Sequence, residues 1–372
     1  MIWIPGIRRD ERVWFDLEAS RSSPMESCSR SHILPRPGPL NLITDVPGLL
    51  VGNITDERVQ SGVTTLICPG GWRAGVDVRG GGPGVRETET LSPENSNAVA
   101  HAIVLSGGSA FGLGAADGVT AALSERGEGV VIRPGLRPVP IVPSAILFDL
   151  GNGGDKAWGV DPPYRALGAA TVEPAATSFA LGSVGAGRGA MAGTHKGGLG
   201  SASLDLGDGL LVGALVAVNP VGSVFMADGE TFWAWPFEID GEFGGGRPGQ
   251  AEAEIDPFPD HSRLAGLGRL SQGANTTIAV VAVTGDLTSA ECKRVAMMAQ
   301  DGLARAIRPA HTPFDGDTVF AVAGAQTPLG SDPERRIKVA LLGSAAADCL
   351  ARAIARGVYE TGRVGVASSR SR

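Results

Sequence analysis

Gln272-Gly273-Ala274-Asn275-Thr276-Thr277 runs without a break into Ile278-Ala279-Val280-Val281-Ala282-Val283. The second half is a short apolar run rich in β-branched residues, the pattern of a strand buried on both faces. The first half is small and polar. It follows residues 240–274, where Gly244-Gly245-Gly246, Pro248, Pro257 and Pro259 lie among acidic residues and read as the linker of the chain. One reading of Asn275-Thr276-Thr277 is simply a strand entry, or a glycosylation sequon, which has no meaning in a cytosolic chain. The other is a self-cleaving junction. If Thr276 Oγ attacks the Asn275 carbonyl, an N→O acyl shift leaves an ester that water hydrolyses. The freed Thr276 then carries a nucleophile and, in its new α-amino group, a base titrating near pH 8. A loose segment ahead of the bond suits such chemistry.

Working outward, Thr64-Thr65-Leu66-Ile67, Ala102-Ile103-Val104-Leu105 and Leu210 to Val218 are further apolar runs bounded by glycine-rich turns and predict buried strands. Thr288-Ser289-Ala290-Glu291 is a capping box that opens a helix with Cys292, Val295, Ala296, Ala299, Leu303 and Ile307 on one face. A second helix is expected from about Ile337 to Tyr359, with others at 108–125 and 163–169. The fold class is α/β, in one domain spanning 41–372, preceded by a loose Ser-, Pro- and Arg-rich extension over 1–40 in which Met25 is an alternative start.

Glycine supplies 55 of 372 residues, about twice ordinary usage, so the backbone must turn tightly or approach something closely at many points. A net charge of −7 argues against a nucleic-acid or anionic-membrane partner. Cys28, Cys68, Cys292 and Cys349 are far apart, which suggests reduced thiols and a cytoplasmic location. No apolar run reaches membrane-spanning length, and the first residues lack a signal-peptide pattern. The five histidines show no metal-ligand spacing, so neither a metal nor another cofactor is expected. Other motifs fail on spacing. Phe111 stands where a nucleophile elbow around Ser109 needs glycine, and His195 interrupts the phosphate-loop pattern of Gly189 to Lys196.

Five further stretches carry a resemblance. Asp77-Val-Arg-Gly-Gly-Gly-Pro-Gly84, Leu105-Ser-Gly-Gly-Ser-Ala-Phe-Gly-Leu113, Ile141-Val-Pro-Ser-Ala-Ile-Leu-Phe-Asp149, Val218-Asn-Pro-Val-Gly222 and His311-Thr-Pro-Phe-Asp315-Gly-Asp317 occur in that order around Asn275-Thr276. Together they resemble the self-processing L-aminopeptidase/D-esterase-amidase family, which includes β-peptidyl aminopeptidases and nylon-oligomer endohydrolases. The likeness spans about 42–360. It implies a single four-layer αββα sandwich, cut once into an α chain (1–275) and a β chain (276–372). It also implies assembly as tetramers or larger, and small peptide or amide substrates hydrolysed without a cofactor.

Carried over residue by residue, the resemblance makes Thr276 the N-terminal nucleophile and Asn275 the residue before the cut. Asp315 and Asp317 become its acidic pair, Lys196 a lysine near the nucleophile, and Asn219 an oxyanion donor. As residues i and i+2 of an extended segment, both carboxylates are expected to face the nucleophile. Without the resemblance, Asp315-Gly-Asp317 and Asn219-Pro220 read as turns, and Lys196 as a solvated loop residue. Phe148 stands where relatives often place an active-site tyrosine, leaving the substrate open. Gly107, Gly108 and Ser109 are expected to line the pocket, with their amides as donors. An acetyl-transferring relative of the ornithine acetyltransferase type, and a non-catalytic protein keeping the fold, remain as alternatives.

Overall fold

The computed structural model describes residues 35–96, 98–249, 259–263 and 275–369, with side chains as far as residue 362. The run after Asn275 forms strand β10, Thr276–Gly285, buried at every position. It lies between β9 (Leu211–Asn219), antiparallel to it, and β11 (Thr318–Thr327), parallel to it. Burial on both faces is what a run without polar alternation requires.

The rest of the sheet is reached through one long strand. β2 spans Ser61–Val78 and is interrupted by an irregularity between Ile67 and Trp72. Its far half, from Arg73 to Val78, pairs with β11. Its near half pairs with β1 (Leu50–Asp56) and β4 (Val99–Ser106). Short strands β3 (Val85–Arg86) and β5 (Ser144–Ile146) extend that side, and β8 (Leu199–Asp205) closes the other beyond β9. The hairpin of β6 (Met191–Ala192) and β7 (His195–Lys196) stands apart from this sheet.

Alternation along the strands divides the core into layers. Val216, Val218, Ala279, Val281, Val319 and Ala321 face helices α3 (Ser289–Ala306) and α4 (Glu334–Ser369). Their neighbours Leu215, Ala217, Ile278, Val280 and Phe320 pack in a central cluster with Leu66, Ile103 and Leu105 of β2 and β4. The other faces of those two strands, through Val63, Ile67, Ala102 and Val104, meet helices α1 (Ala115–Glu125) and α2 (Tyr164–Thr171). Helix, sheet, sheet, helix is the expected four-layer order, with the two sheet halves joined through β2.

Three boundaries differ from the sequence reading. Gly108 and Ser109 both take left-handed backbone, at φ 86° and 53°, so the segment from 109 to 114 is a 3-10 turn and α1 starts only at Ala115. Residues 35–40 are tied to the body through an Arg36–Asp205 bridge and the Gly38 amide donating to Ser203 Oγ; residues 1–34 of the expected extension lie outside the described residues. The start of the expected linker is also anchored: Phe243 is buried and Glu242 pairs with buried Arg352 of α4. The expected capping box of α3 forms, with the Glu291 amide donating to Thr288 Oγ1.

Candidate active site

Thr276 is the first residue of β10 and is almost fully buried. The β-sheet register places it opposite Asn219, the last residue of β9. On the other flank, Asn275 bridges to Asp315 in the loop that enters β11. The Gly316 amide donates to the Asn275 carbonyl oxygen at 3.1 Å, and Thr276 Oγ1 lies against that same oxygen. The hydroxyl of Thr276 therefore sits at the carbonyl before it, and a backbone N–H polarises that carbonyl. Only glycine fits at 316, because a Cβ there would stand 2.7 Å from Thr276 Oγ1 and 2.8 Å from the Gly82 carbonyl oxygen.

Asp315 and Asp317 flank this glycine, and their hydrogen bonds go to residues around Thr276 rather than to its hydroxyl. Asp315 accepts from the Val221 amide at 3.0 Å and from the Thr312 amide and hydroxyl at 3.1 and 2.6 Å. Asp317 Oδ1 accepts from the Thr277 amide at 2.9 Å, and Oδ2 accepts from the His311 amide at 3.0 Å while meeting His311 Nδ1 at 2.9 Å. Asp317 thus holds the residue after Thr276, and Asp315 holds the loop beside it. Burial, reinforced by the charge of Asp317, pushes the Asp315 carboxyl up to about 6.

Asn219 is fully buried, and its amide is engaged at both ends. Oδ1 accepts from the Met191 amide at 2.9 Å, and Nδ2 donates to the Phe148 carbonyl at 3.2 Å. Phe148 thus enters the site through its backbone. Lys196 Nζ donates to the Arg188 carbonyl at 3.0 Å, within the field of Glu57 and Asp149. Burial, and then the Arg188 charge, lowers its pKa. The expected donors of the glycine loop are already bonded, Gly107 N–H to the Gly62 carbonyl and Gly108 N–H to Asp149 Oδ1 at 2.8 Å. Ser109 N–H donates to the Leu147 carbonyl.

Three residues join the site that the sequence reading had not singled out. Asp149, buried and raised in pKa by that burial, accepts from Ser61 Oγ at 2.6 Å and holds the glycine loop in place. His311 meets Asp317 and lies in the same quoted motif, so its position six residues upstream was the available signal. Arg263 donates to the Met191 and Gly193 carbonyls and to Asn219 Oδ1, and a further N–H meets Asn275 Oδ1. It lies within the stretch read as linker, where composition hides it. A cavity of about 750 Å³ opens beside His195 and Lys196, lined also by Phe225, Phe232, Arg247 and Tyr359. Thr276 is not in its wall, so volume alone does not locate the site.

The sequence pattern of peptidase family S58 matches residues 41–371. A Mycobacterium bovis protein named as an uncharacterized aminopeptidase is 43% identical over 346 residues, covering 86% of this chain and 94% of its own. A 6-aminohexanoate-oligomer endohydrolase of Kocuria sp. is 32% identical over 298 residues, covering 78% of this chain and 76% of its own. The solved L-aminopeptidase D-Ala-esterase/amidase of Ochrobactrum anthropi, described as a variant of the N-terminal-nucleophile hydrolase fold, superposes with a TM-score of 0.60. That alignment covers 87% of each chain at 19% identity, which speaks for the fold alone.

Proposed function

This chain belongs to peptidase family S58, and on that premise we propose that it cuts itself between Asn275 and Thr276 and then hydrolyses amide bonds with Thr276 as N-terminal nucleophile. The observation that carries this reading is the Asn275 carbonyl, which accepts from Gly316 N–H at 3.1 Å while Thr276 Oγ1 lies against it. In maturation Oγ1 bonds to the Asn275 carbonyl carbon and gives up its proton. Charge that develops on the carbonyl oxygen is met by a donor already in place. Collapse breaks the C–N bond, the Thr276 nitrogen takes a proton, and water hydrolyses the ester to leave the Asn275 carboxylate and a free Thr276 amine.

In turnover the same hydroxyl attacks a substrate amide, and the new α-amino group serves as its base. Asp317 holds the Thr277 amide and so fixes where Oγ1 points. Asp315 bridges to Asn275 beside the Asn275–Gly316 contact, and its carboxyl, raised by burial and by the charge of Asp317, is the candidate acceptor for the first proton. Asn219 and Lys196 belong to the same reading as oxyanion donor and charge-setting group, with Phe148, Gly107, Gly108 and Ser109 as pocket wall. The substrates are small peptides or amides. The two chains stay together because β10 and β11 of one pair inside the sheet with β9 and β2 of the other. A cytoplasmic homo-oligomer, tetrameric or larger, completes the proposal. Exposed Val131, Ile132, Leu136 and Val139 support that assembly by offering apolar surface to cover.

The test is substitution of the nucleophile. Thr276→Ala removes the hydroxyl needed in both steps and should remain one inactive chain. Thr276→Ser should still cut itself. Cleavage at 275/276 together with amidase activity in Thr276→Ala would refute the mechanism, and transfer of acetyl groups from acetyl-ornithine to glutamate in place of amide hydrolysis would replace it.

A further inference from the structure

The residue before the cut is the first acyl group that Thr276 meets. If a substrate presents its acyl residue to this hydroxyl as the chain presents Asn275, the surroundings of Asn275 describe a substrate subsite. Asn275 is fully buried. Its side-chain oxygen is met by an N–H of Arg263, whereas its Nδ2 has no hydrogen-bond partner among the described residues. The oxygen is therefore the group that is recognised.

Arg263 is built into the body rather than into the departing end. Its own amide donates to the Val221 carbonyl at 2.9 Å. Its guanidinium reaches the Met191 carbonyl at 2.9 Å, the Gly193 carbonyl at 3.1 Å and Asn219 Oδ1 at 3.4 Å. These bonds keep its fork aimed at the Asn275 position whether or not the junction is cut. Burial lowers its pKa to about 10, against the pull of Asp315, so it remains charged at neutral pH. A guanidinium held this way favours an acceptor oxygen and penalises an alkyl group of the same size, which would leave a buried donor unmet.

We propose that the place filled by the Asn275 side chain is the acyl-side subsite of the mature enzyme, and that Arg263 determines its specificity by selecting acyl residues with a side-chain carbonyl or carboxylate oxygen, as in asparaginyl and aspartyl amides. This rests on the self-processing reading above and names its substrate class.

The experiment compares kcat/KM for the p-nitroanilides of asparagine, aspartate and leucine, the last similar in size to asparagine. The two-chain wild-type enzyme should prefer the first two by about 10- to 100-fold, the worth of one hydrogen bond to a charged group. Arg263→Met should bring the ratio to within about threefold of unity, and Arg263→Lys should recover part of it. A ratio is used because general damage lowers all three rates together and leaves it unmoved. A cut, active Arg263→Met protein with the wild-type ratio overturns the inference alone. If Arg263→Met does not fold, the wild-type ratio decides, and equal or faster hydrolysis of the leucine anilide overturns it. A wild-type chain that stays uncut and idle on every anilide overturns this inference and the self-processing reading together.

Discussion

Gly316→Ala tests the geometry around the Asn275 carbonyl at a single methyl group. The new Cβ would lie 2.7 Å from Thr276 Oγ1 and 2.8 Å from the Gly82 carbonyl oxygen, where ordinary contact begins near 3.4 Å. The neighbours must part by about 0.7 Å, and one of them is backbone. The Gly316 amide now donates to the Asn275 carbonyl at 3.1 Å, so a displacement of that size carries it out of hydrogen-bonding range. Loss of one preorganised oxyanion donor costs about 10²- to 10³-fold in rate. Overpacking of this kind costs about 1 to 3 kcal/mol of stability. Self-cleavage, followed as the fraction of cut chain over time, should slow by about that factor, with a lower melting temperature. Gly114→Ala is the control, since a Cβ there meets nothing within 4 Å. Cleavage of Gly316→Ala at the wild-type rate would refute the role given to this amide.

Two other expectations concern Asp315 and the strand partner. Asp315 titrates near 6 instead of near its ordinary 3.8. The folded state therefore holds the proton more tightly, and stability is lost as pH rises from about 4 to 6. Denaturant melts across that range should show a shallower fall for Asp315→Asn, and superimposable profiles would contradict the burial of an ionisable group there. Asn219→Ala should slow self-cleavage and amide hydrolysis by about 10²- to 10³-fold. Asn219→Asp, which keeps the acceptor for the Met191 amide but loses the donor, should be equally slow; wild-type rates in Asn219→Asp would remove the oxyanion role.

The central strands were legible because their burial leaves a compositional trace. Ile278 to Val283 and Leu211 to Val218 have no polar alternation, and the structure buries them between helices and a second sheet layer. Thr288 and Glu291 announced α3 through a local rule that tertiary packing did not disturb. The acid pair was readable as residues but not as geometry. Asp315 bridges to Asn275 and accepts from Thr312 and Val221, while Asp317 accepts from Thr277 and His311, and these partners are set by the fold rather than by the spacing of the pair. Arg263 was invisible because no local pattern ties it to Met191, Asn219 and Asn275, and its neighbours are linker-like in composition. The engagement of Gly107 and Gly108 by Gly62 and Asp149 is likewise a long-range fact that no local pattern encodes.

The measurement that bears most directly on the account is the intact mass and N-terminal sequence of the purified protein. Self-processing predicts two chains, one ending at Asn275 and a second of the remaining 97 residues beginning Thr-Thr-Ile-Ala-Val. Active protein that retains one uncut chain of 372 residues, or a second chain beginning at any residue other than Thr276, would contradict it.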